Sequence, residues 1–428
     1  MTDTTDTGTT GPDGTRRHVV FLNNSGLGHV IPTLDVAAEL VRRGHEVTYV
    51  TGCNLVDRVA ATGATVLGYP SVLDEVDLSE MVTADDTARM PSLYLQEGKR
   101  ALRTLEEHLG ERRPDLIVYD LTLYHVARVL SRAWDVPAAE TFPALASNKH
   151  FKLLDKLIAK MGRARPGHPA LQDFLRELND LLAQYGQSDT SVEELVGREE
   201  DLNLVFYTRS FQPAGATFDA ARYHFVGPCL EGAAAAEQWT PPADGSPVVL
   251  ISLGTSVHRN PEFFRMCVET FRDTPWHVVM AVHKGIAPAD LAPLPPNVEV
   301  HTWAPQLAVL RHAEVFVSHA GLGSITGALS MGTPVVLVPS TPEHEVHAQR
   351  VAELGLGRVI RSGTLGPDRL RAAVDEVKAD QMTRKRVSKM QQDIAEAGGH
   401  TAAADALEGH MARASRGFGR QGRHDGIL

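Results

Sequence analysis

Short apolar runs that alternate with helical patterns are the feature that most constrains the fold of this chain. Each run is bounded by Gly, Pro or Asn, which is typical of buried strands that end in turns. Strands that alternate with helices predict parallel sheets with crossover helices. The runs in the first half of the chain are residues 18–24, 45–52, 115–120 and 203–209.

A second series of the same kind follows, at residues 248–254, 277–282, 298–303, 315–320 and 334–339. Between the two series, residues 228–247 have small side chains, three prolines in their second half and no strand pattern, which indicates an interdomain linker. We therefore predict an α/β protein with two Rossmann-like doubly wound domains, an N-terminal one over 17–227 and a C-terminal one over 248–415. Two such domains face one another across a cleft, and ligands bind there at the carboxyl ends of the strands.

Composition excludes several classes of protein. The chain has 428 residues, which is long enough for two or more domains with their own cores. Its net charge of −11 repels the phosphate backbone, so we expect no nucleic acid partner. Three cysteines, Cys53, Cys229 and Cys267, show neither zinc nor redox spacing, and we interpret them as reduced core thiols.

The two ends of the chain lack a pattern that would bury apolar surface. Residues 1–16 are rich in Thr, Asp and Gly, which predicts a disordered tail, and residues 416–428, rich in Gly and Arg, are expected to fray. No apolar stretch resembles a signal-peptide core or approaches the roughly 20 residues of a membrane span. These features predict a cytoplasmic protein.

The Gly-rich turn after the first strand, residues 23–29, leads into a helix. A dinucleotide-binding fingerprint is disfavoured because Ile31 stands where its third glycine must be, and an NAD-dependent oxidoreductase is disfavoured with it. The turn does offer His29 at a helix N-terminus facing the cleft. The helix dipole there favours a neutral imidazole, which suits a general base. The alternative is a loop or helix-capping histidine.

Asp120 ends the strand run 115–120 and is therefore expected to point into the same crevice. A carboxylate there can hold the Nδ1–H group of His29 and stabilise the imidazolium as a proton is taken. Asp120 could equally cap a helix.

A strand, a Gly-containing turn and a helix start also occur together at residues 315–330. Backbone amides and the helix dipole form an anion site at such a point, and pyrophosphate is its natural ligand. Gly321, Gly323 and Ser324 belong to this turn, and His319 and Ser324 add side-chain donors. The alternative is a tight turn in which glycine is needed only for steric reasons.

Two neighbouring loops add ligands of other chemistry. Trp303 can stack on a nucleobase and Gln306 can bind a base or ribose edge, although an isolated Trp is more often a core residue. Glu343 follows another strand, where it could accept hydrogen bonds from sugar hydroxyls or lie in a solvated loop. Ligands for a base, a diphosphate and a hexose together predict a sugar-nucleotide site.

These motifs resemble the nucleotide-sugar signature of the UDP-glycosyltransferase superfamily. The segments that carry the resemblance are WAPQ (303–306), HAGLGS (319–324) and PSTPEH (339–344). Two others, NSGLGHVIP (24–32) and LIVYD (116–120), resemble its macrolide-modifying branch, such as the oleandomycin glycosyltransferases. The likeness covers residues 17–412. It implies the two-domain GT-B fold, sugar transfer with inversion, and no bound metal or other cofactor.

The resemblance also implies a role for individual residues. His29 is the implied base that deprotonates the acceptor hydroxyl, and Asp120 is its orienting partner. The implied donor-binding residues are Trp303, Gln306, His319, Gly321, Gly323, Ser324, Glu343 and His344. The acceptor pocket would come from the N-terminal domain, with Met81, Tyr94 and Phe142 among its apolar candidates.

Three positions depart from the family pattern. Gly327 stands where the family commonly has a Glu that binds the ribose hydroxyls, His344 where Gln is usual, and His347 where Asn is usual. The missing ribose carboxylate leaves room for a dTDP-linked deoxysugar as well as for UDP-glucose.

We therefore expect an inverting, metal-independent O-glycosyltransferase. It would move a hexose from a nucleoside diphosphate (NDP) sugar to a hydroxyl of a lipophilic natural product such as a macrolide or polyketide. The alternatives are a sugar-nucleotide epimerase or hydrolase on the same fold, and a non-catalytic sugar-nucleotide-binding protein. The presence of both His29 and Asp120 argues against a non-catalytic protein.

Overall fold

The computed structural model describes residues 15–77, 80–232, 237–254, 260–282 and 285–421. The predicted N-terminal tail up to residue 14 and the C-terminal residues from 422 onward lie outside these residues. The described chain forms two parallel sheets with helices packed against them, which confirms the predicted pair of doubly wound domains.

The strands of the first sheet are β1 (His18–Leu22), β2 (Glu46–Gly52), β3 (Thr65–Tyr69), β4 (Leu116–Asp120), β5 (Ala138–Phe142), β6 (Asn203–Val205) and β7 (Tyr223–Phe225). Their order is β3-β2-β1-β4-β5-β6-β7, and every pair is parallel. All residues of β1, β4 and β5 are buried, as expected for parallel strands covered on both faces. The strand order reverses between β1 and β4, and a ligand crevice forms at the carboxyl ends of strands at such a point.

The strands of the second sheet are β8 (Val248–Ser252), β9 (His277–Ala281), β10 (Val298–His301), β11 (Ala313–Ser318), β12 (Val335–Leu337) and β13 (Gly357–Val359). They are parallel in the order β10-β9-β8-β11-β12-β13. The order reverses between β8 and β11, so the second domain repeats the architecture of the first.

The helices of the N-terminal half are α1 (Leu27–Arg42), α2 (Val56–Ala60), α3 (Ala84–Leu109), α4 (Tyr124–Trp134), α5 (Leu153–Met161), α6 (Pro169–Gln184) and α7 (Val192–Gly197). Those of the C-terminal half are α8 (Pro261–Phe271), α9 (Gln306–Leu310), α10 (Leu322–Ser330), α11 (Pro342–Leu354), α12 (Pro367–Ala379), α13 (Gln381–Glu396) and α14 (Gly399–Gln421).

Contacts between the two halves hold the domains against one another. The Arg350 side chain, on α11, donates from Nε to the backbone oxygen of Phe211, 2.7 Å away. Lys160 on α5 pairs with Glu345 on α11 at 2.5 Å. One continuous apolar cluster also includes side chains from both domains, among them Phe211 and Phe316. The cleft is therefore bounded by packed contacts.

The last helix departs from the order of the chain. The domain limits at residues 227, 248 and 415 stay predictions, but α14 runs to Gln421 and packs against α1 of the N-terminal domain. Its Leu407 and Met411 belong to the apolar core of that domain. The helix α14 therefore packs in the N-terminal domain although it follows the C-terminal domain in the sequence.

The segment predicted as a linker is anchored to both domains. Cys229 lies in the N-terminal core, and the Gly232 amide donates to Asp35 at 3.1 Å. On the other side the Trp239 indole donates to Glu299 at 3.3 Å. The two ends of the linker are thus held by opposite domains.

The cysteine prediction is correct for two positions and wrong for the third. Cys229 and Cys267 are buried free thiols, whereas Cys53 is exposed. Cys53 begins the short helical turn that follows the carboxyl end of β2. Within the described ranges, no helix has the length and apolar character that crossing a membrane requires.

Candidate active site

His29 and Asp120 meet at the switch point of the first sheet. His29 is the third residue of α1, which follows β1, and Asp120 is the last residue of β4. The His29 Nδ1 atom lies 2.8 Å from Oδ2 of Asp120. Asp120 is fully buried, while 30% of the His29 side chain stays exposed. Because a carboxylate only accepts, Nδ1 carries the proton and Nε2 is left free to accept one.

Asp120 also caps a short helical turn, so both interpretations of this residue are correct structurally. Its Oδ1 accepts from the Thr122 amide at 2.9 Å and from the Thr122 hydroxyl at 2.6 Å. The Asn24 side-chain amide donates to the Thr122 hydroxyl oxygen at 2.9 Å. With Oδ1 held by these donors, Oδ2 is directed at the imidazole.

Burial and two carboxylates act in opposite directions on the pKa of His29. Burial lowers the pKa of His29, but the adjacent Asp120 and the Glu343 carboxylate from the other domain raise it, and the net shift is upward. The sequence-based expectation that the helix N-terminus favours neutral imidazole is therefore wrong in sign. Two carboxylates near one imidazole outweigh the partial charge of a helix end.

A buried carboxylate that sequence reasoning missed supports the turn that carries His29. Glu97 on α3 is fully buried and accepts from the hydroxyls of Tyr69 and Ser71, each at 2.7 Å. The Tyr69 hydroxyl also contacts the Asn23 backbone oxygen at 3.0 Å, and the Ser71 hydroxyl lies 2.8 Å from that of Ser25. The sequence pattern of α3 does not distinguish Glu97 from its other polar residues. What distinguishes Glu97 is its pair of partners at the end of β3, and that contact cannot be read from the helix alone.

Across the cleft, α10 begins at the switch point of the second sheet and contacts α1. Gly321 is its N-cap residue in an extended conformation, and the first turn contains no acidic side chain. Its first amides have no partner within a helix and form an anion site with the dipole. Gly321, Gly323 and Ser324 therefore lie together at one helix start, as the motif predicts.

His319 is packed behind this helix start. A Cβ atom at Gly254 or Gly321 would collide with its imidazole, so glycine is needed at both positions for close approach. Burial lowers the pKa of His319 to about 4, although a hydrogen bond to the Ser252 backbone opposes the shift. His319 is therefore a neutral imidazole at pH 7, and its one N–H is donated to the Ser252 backbone.

Glu343, His344 and His347 lie in the first two turns of α11, beside the same helix start. The Thr341 hydroxyl accepts from the His344 amide at 3.2 Å and caps the helix. The His344 ring stands edge-on to that of His319, with centroids 4.7 Å apart. Burial and the two neighbouring histidines lower the pKa of His344. Glu343 is 43% exposed and, through its effect on the pKa of His29, acts across the cleft.

Trp303 and Gln306 follow the carboxyl end of β10 in the second sheet. Trp303 is 50% exposed, so the core interpretation of this residue is wrong, and the Arg58 guanidinium lies 5.0 Å from its ring centroid. Gln306 begins α9, and the following amide, from Leu307, donates to Glu237 of the linker at 2.7 Å. Arg58 and Glu237 were not predicted, because both come from segments without a motif.

The three predicted acceptor residues are not brought together. Tyr94 faces the catalytic centre: burial raises its pKa, and the negative charges of Glu343 and Asp120 add to the rise. Met81 instead lines a cavity of about 410 Å³ with Leu93 and Gln96, on the face of α3 turned away from Tyr94.

Phe142 is a core residue. It is 8% exposed, and its ring packs 6.3 Å from that of Tyr223. The assignment of Phe142 and Met81 to the acceptor pocket stays a prediction, because apolar composition does not tell a pocket wall from a core.

Comparisons with known proteins agree with this geometry. The profile of the erythromycin biosynthesis protein CIII-like C-terminal domain matches residues 270–408. The chain is similar to demethyllactenocin mycarosyltransferase of Streptomyces fradiae, at 34% identity over 93% of this chain and 87% of that protein. It is also similar to oleandomycin glycosyltransferase of Streptomyces antibioticus, at 33% identity over 93% and 91% of the two chains.

A solved structure shows the same likeness in three dimensions. The calicheamicin glycosyltransferase CalG4 superposes with a TM-score of 0.83 at 42% identity, covering 93% of this chain and 99% of that one. The shared architecture is the GT-B fold, with two parallel-sheet domains. Since the relatives span nearly the whole chain, including both halves of the cleft, the protein is a natural-product glycosyltransferase that belongs to the macrolide-type branch of the UDP-glycosyltransferase superfamily.

Proposed function

We propose that this enzyme is an inverting O-glycosyltransferase that uses an NDP-sugar, UDP-glucose or a dTDP-deoxysugar, and a lipophilic acceptor such as a macrolide or polyketide. The observation that carries the proposal is the 2.8 Å contact between His29 Nδ1 and Asp120 Oδ2, which leaves Nε2 open to the cleft. An imidazole held in this way is suited to take a proton from a hydroxyl.

In the proposed reaction the acceptor hydroxyl donates its proton to His29 Nε2 as its oxygen attacks the anomeric carbon. The new carbon–oxygen bond forms on the face opposite the breaking bond to the diphosphate, so the configuration inverts. The resulting imidazolium is stabilised by Asp120, which is fully buried. A positioned base of this kind contributes roughly 10²–10⁴-fold in rate.

The diphosphate leaves with its charge facing the start of α10. The amides of that turn, together with Ser324, are the groups proposed to hold it, and the neutral His319 is proposed to support the turn from behind. Trp303 and Gln306 are proposed for the nucleoside, and Glu343 with His344 for the sugar. We propose that these groups replace a divalent cation, so that neither a metal nor a cofactor is needed.

Tyr94 is the one predicted acceptor residue that we keep in the acceptor site. Its pKa responds to Asp120 and to Glu343, which lie on opposite sides of the cleft. A half-buried aromatic ring at that point suits an apolar acceptor held with its hydroxyl at His29.

The test is a donor screen with one promiscuous phenolic or macrolide acceptor, read by mass spectrometry. UDP-glucose and dTDP-glucose are each offered with and without excess EDTA, and the anomeric configuration of the product is read by NMR. We expect a glycosylated acceptor of inverted configuration in both conditions. An activity restored only by magnesium or manganese would refute metal independence. Donor turnover without a glycosylated acceptor would favour an epimerase or hydrolase.

A further inference from the structure

His347 on α11 has one partnered and one unpartnered nitrogen. Its Nδ1 lies 3.0 Å from the backbone oxygen of Ala320. Because a carbonyl only accepts, Nδ1 carries the proton. Nε2 is buried and has no hydrogen-bond partner among the described residues, and the side chain is 3% exposed. An unpartnered polar atom in such a place costs stability, which calls for a reason.

The carbonyl that His347 binds belongs to a strained residue. Ala320 has φ of +74°, a left-handed conformation that residues with a Cβ rarely adopt. It lies between His319 and Gly321, directly before the first turn of α10. A hydrogen bond to its carbonyl stabilises this conformation and with it the orientation of the amides that follow.

The unpartnered nitrogen faces the proposed sugar-binding carboxylate. His347 Nε2 lies 3.6 Å from Oε1 of Glu343, one helical turn earlier on α11, and the two form an ion pair when the imidazole is protonated. Glu343 is itself partly exposed toward the cleft. One imidazole therefore touches both the turn before the anion site and the acidic side chain beside it.

We propose that His347 is a positioning residue with two separable roles in the donor site. Through Nδ1 it holds the Ala320 turn in the shape that binds the diphosphate. Through the Nε2–H group of the protonated ring it orients Glu343 toward the hydroxyls of the donor sugar. The proposal rests on the proposed function, that the donor is a sugar nucleotide.

Side chains that mimic one nitrogen at a time separate the two roles. In His347→Asn the amide nitrogen stands at the position of Nδ1, whereas in His347→Gln it reaches the position of Nε2. His347→Leu removes both. Affinities for UDP, dTDP, UDP-glucose and dTDP-glucose are measured by calorimetry, with thermal unfolding of each variant as the check on folding.

We expect His347→Asn to bind the free nucleoside diphosphate within about threefold of wild type, while the affinity added by the sugar falls about tenfold. His347→Gln should show the opposite. Its affinity for the free nucleoside diphosphate should fall about tenfold, while the affinity added by the sugar is unchanged. His347→Leu should lose both. His410→Gln is the matched control, because His410 is also buried and its Nε2 lies 3.1 Å from the Ala138 backbone oxygen, outside the cleft, so that Gln keeps this bond.

Equal effects of the Asn and Gln variants on both ligands would overturn the two roles while leaving the proposed function intact. Wild-type affinity in all three variants would overturn any role of His347. A wild-type enzyme that binds none of the four nucleotides would overturn the proposed function, and this inference with it.

Discussion

At the scale of a residue, the contact between His29 and Asp120 decides which imidazole nitrogen can act. We expect His29→Ala to lower turnover by about 10²–10⁴-fold with donor affinity nearly unchanged, because the base acts in the transition state. Asp120→Asn should be less severe, since it keeps a hydrogen-bond partner for Nδ1. Single-turnover rates and donor Kd values separate the two effects. Wild-type turnover in His29→Ala would show that another group is the base.

The raised pKa of His29 predicts a particular pH profile. The base must be neutral to act, so activity is lost as pH falls through a value above the ordinary 6.5 of histidine. Glu343→Gln removes one of the charges that raise this pKa, and the acid limb of kcat/KM should move to lower pH. Glu345→Gln is the control, because Glu345 is 54% exposed and pairs with Lys160. A limb that stays in place in Glu343→Gln would contradict the coupling across the cleft.

At the scale of an element, α4 carries a buried histidine without a hydrogen bond among the described residues. Neither ring nitrogen of His125 has a partner, and Tyr124 and Phe174 surround the ring. Burial lowers its pKa to about 3. The unfolded chain therefore takes up a proton below about pH 6.5 that the folded protein does not, so stability falls as pH drops from about 6.5 toward 3.

We expect His125→Leu to raise the free energy of unfolding by about 1 kcal/mol at pH 7, because an unpaired polar group leaves the core. The advantage over wild type should grow below pH 6.5, by at most about 1.4 kcal/mol per pH unit. Urea unfolding at pH 5, 6 and 7 measures both. The other buried histidines are shared by the two proteins, so a constant difference across this range would refute the assignment to His125.

Helix α10 carries a glycine in its interior that an alanine can replace. A Cβ atom at Gly327 would lie 3.6 Å from Leu307 and 3.7 Å from Leu230, which is ordinary contact. Gly327→Ala should therefore raise the free energy of unfolding by about 0.5–1 kcal/mol. Gly357→Ala is the contrasting variant, because its Cβ would overlap the Val335 carbonyl oxygen. Chemical denaturation measures the free energy of unfolding of both variants. Equal changes in the two would contradict the contacts described for these glycines.

At the scale of the whole molecule, α14 ties the end of the chain to the N-terminal domain through a buried ionic network. The carboxylate of Glu408 contacts Arg43 at 2.7 Å and His45 at 2.9 Å, with its side chain 5% exposed. Asp405 contacts the same Arg43 nitrogen at 2.6 Å but is 64% exposed. The two acids therefore differ in burial and in their partners, which are Arg43 and His45 for Glu408 and Arg43 for Asp405.

We expect Glu408→Ala to lower the free energy of unfolding by about 3 kcal/mol, because it leaves buried cationic and polar groups without their partner. Asp405→Ala should cost less than about 1 kcal/mol, since an exposed pair contributes little. Thermal and urea unfolding compare the two variants. Equal losses would show that the network does not hold α14 in place.

Residues at strand ends were predictable because their position depends only on local pattern. The alternation of apolar runs with helices determined both parallel sheets. The carboxyl ends of parallel strands share one edge, so His29 and Asp120 had to lie near a common crevice of the first sheet. The motif at residues 319–324 likewise determined a helix start at the strand end. These are consequences of periodicity and chain direction, and both can be read from the sequence.

Only the tertiary structure decided which distant side chains meet. Three contacts join segments that no regular sequence spacing relates. They are the contact of Glu97 with the strand end behind the His29 turn, the contact of Glu237 with α9, and the packing of α14 against α1. The sequence likewise left open which face of α3 Met81 packs beside. Glu343, from the other domain, adds to the rise of the His29 pKa that Asp120 causes. Electrostatic energy depends on distances through space, and those are set by how the two domains pack and not by the local pattern of either one.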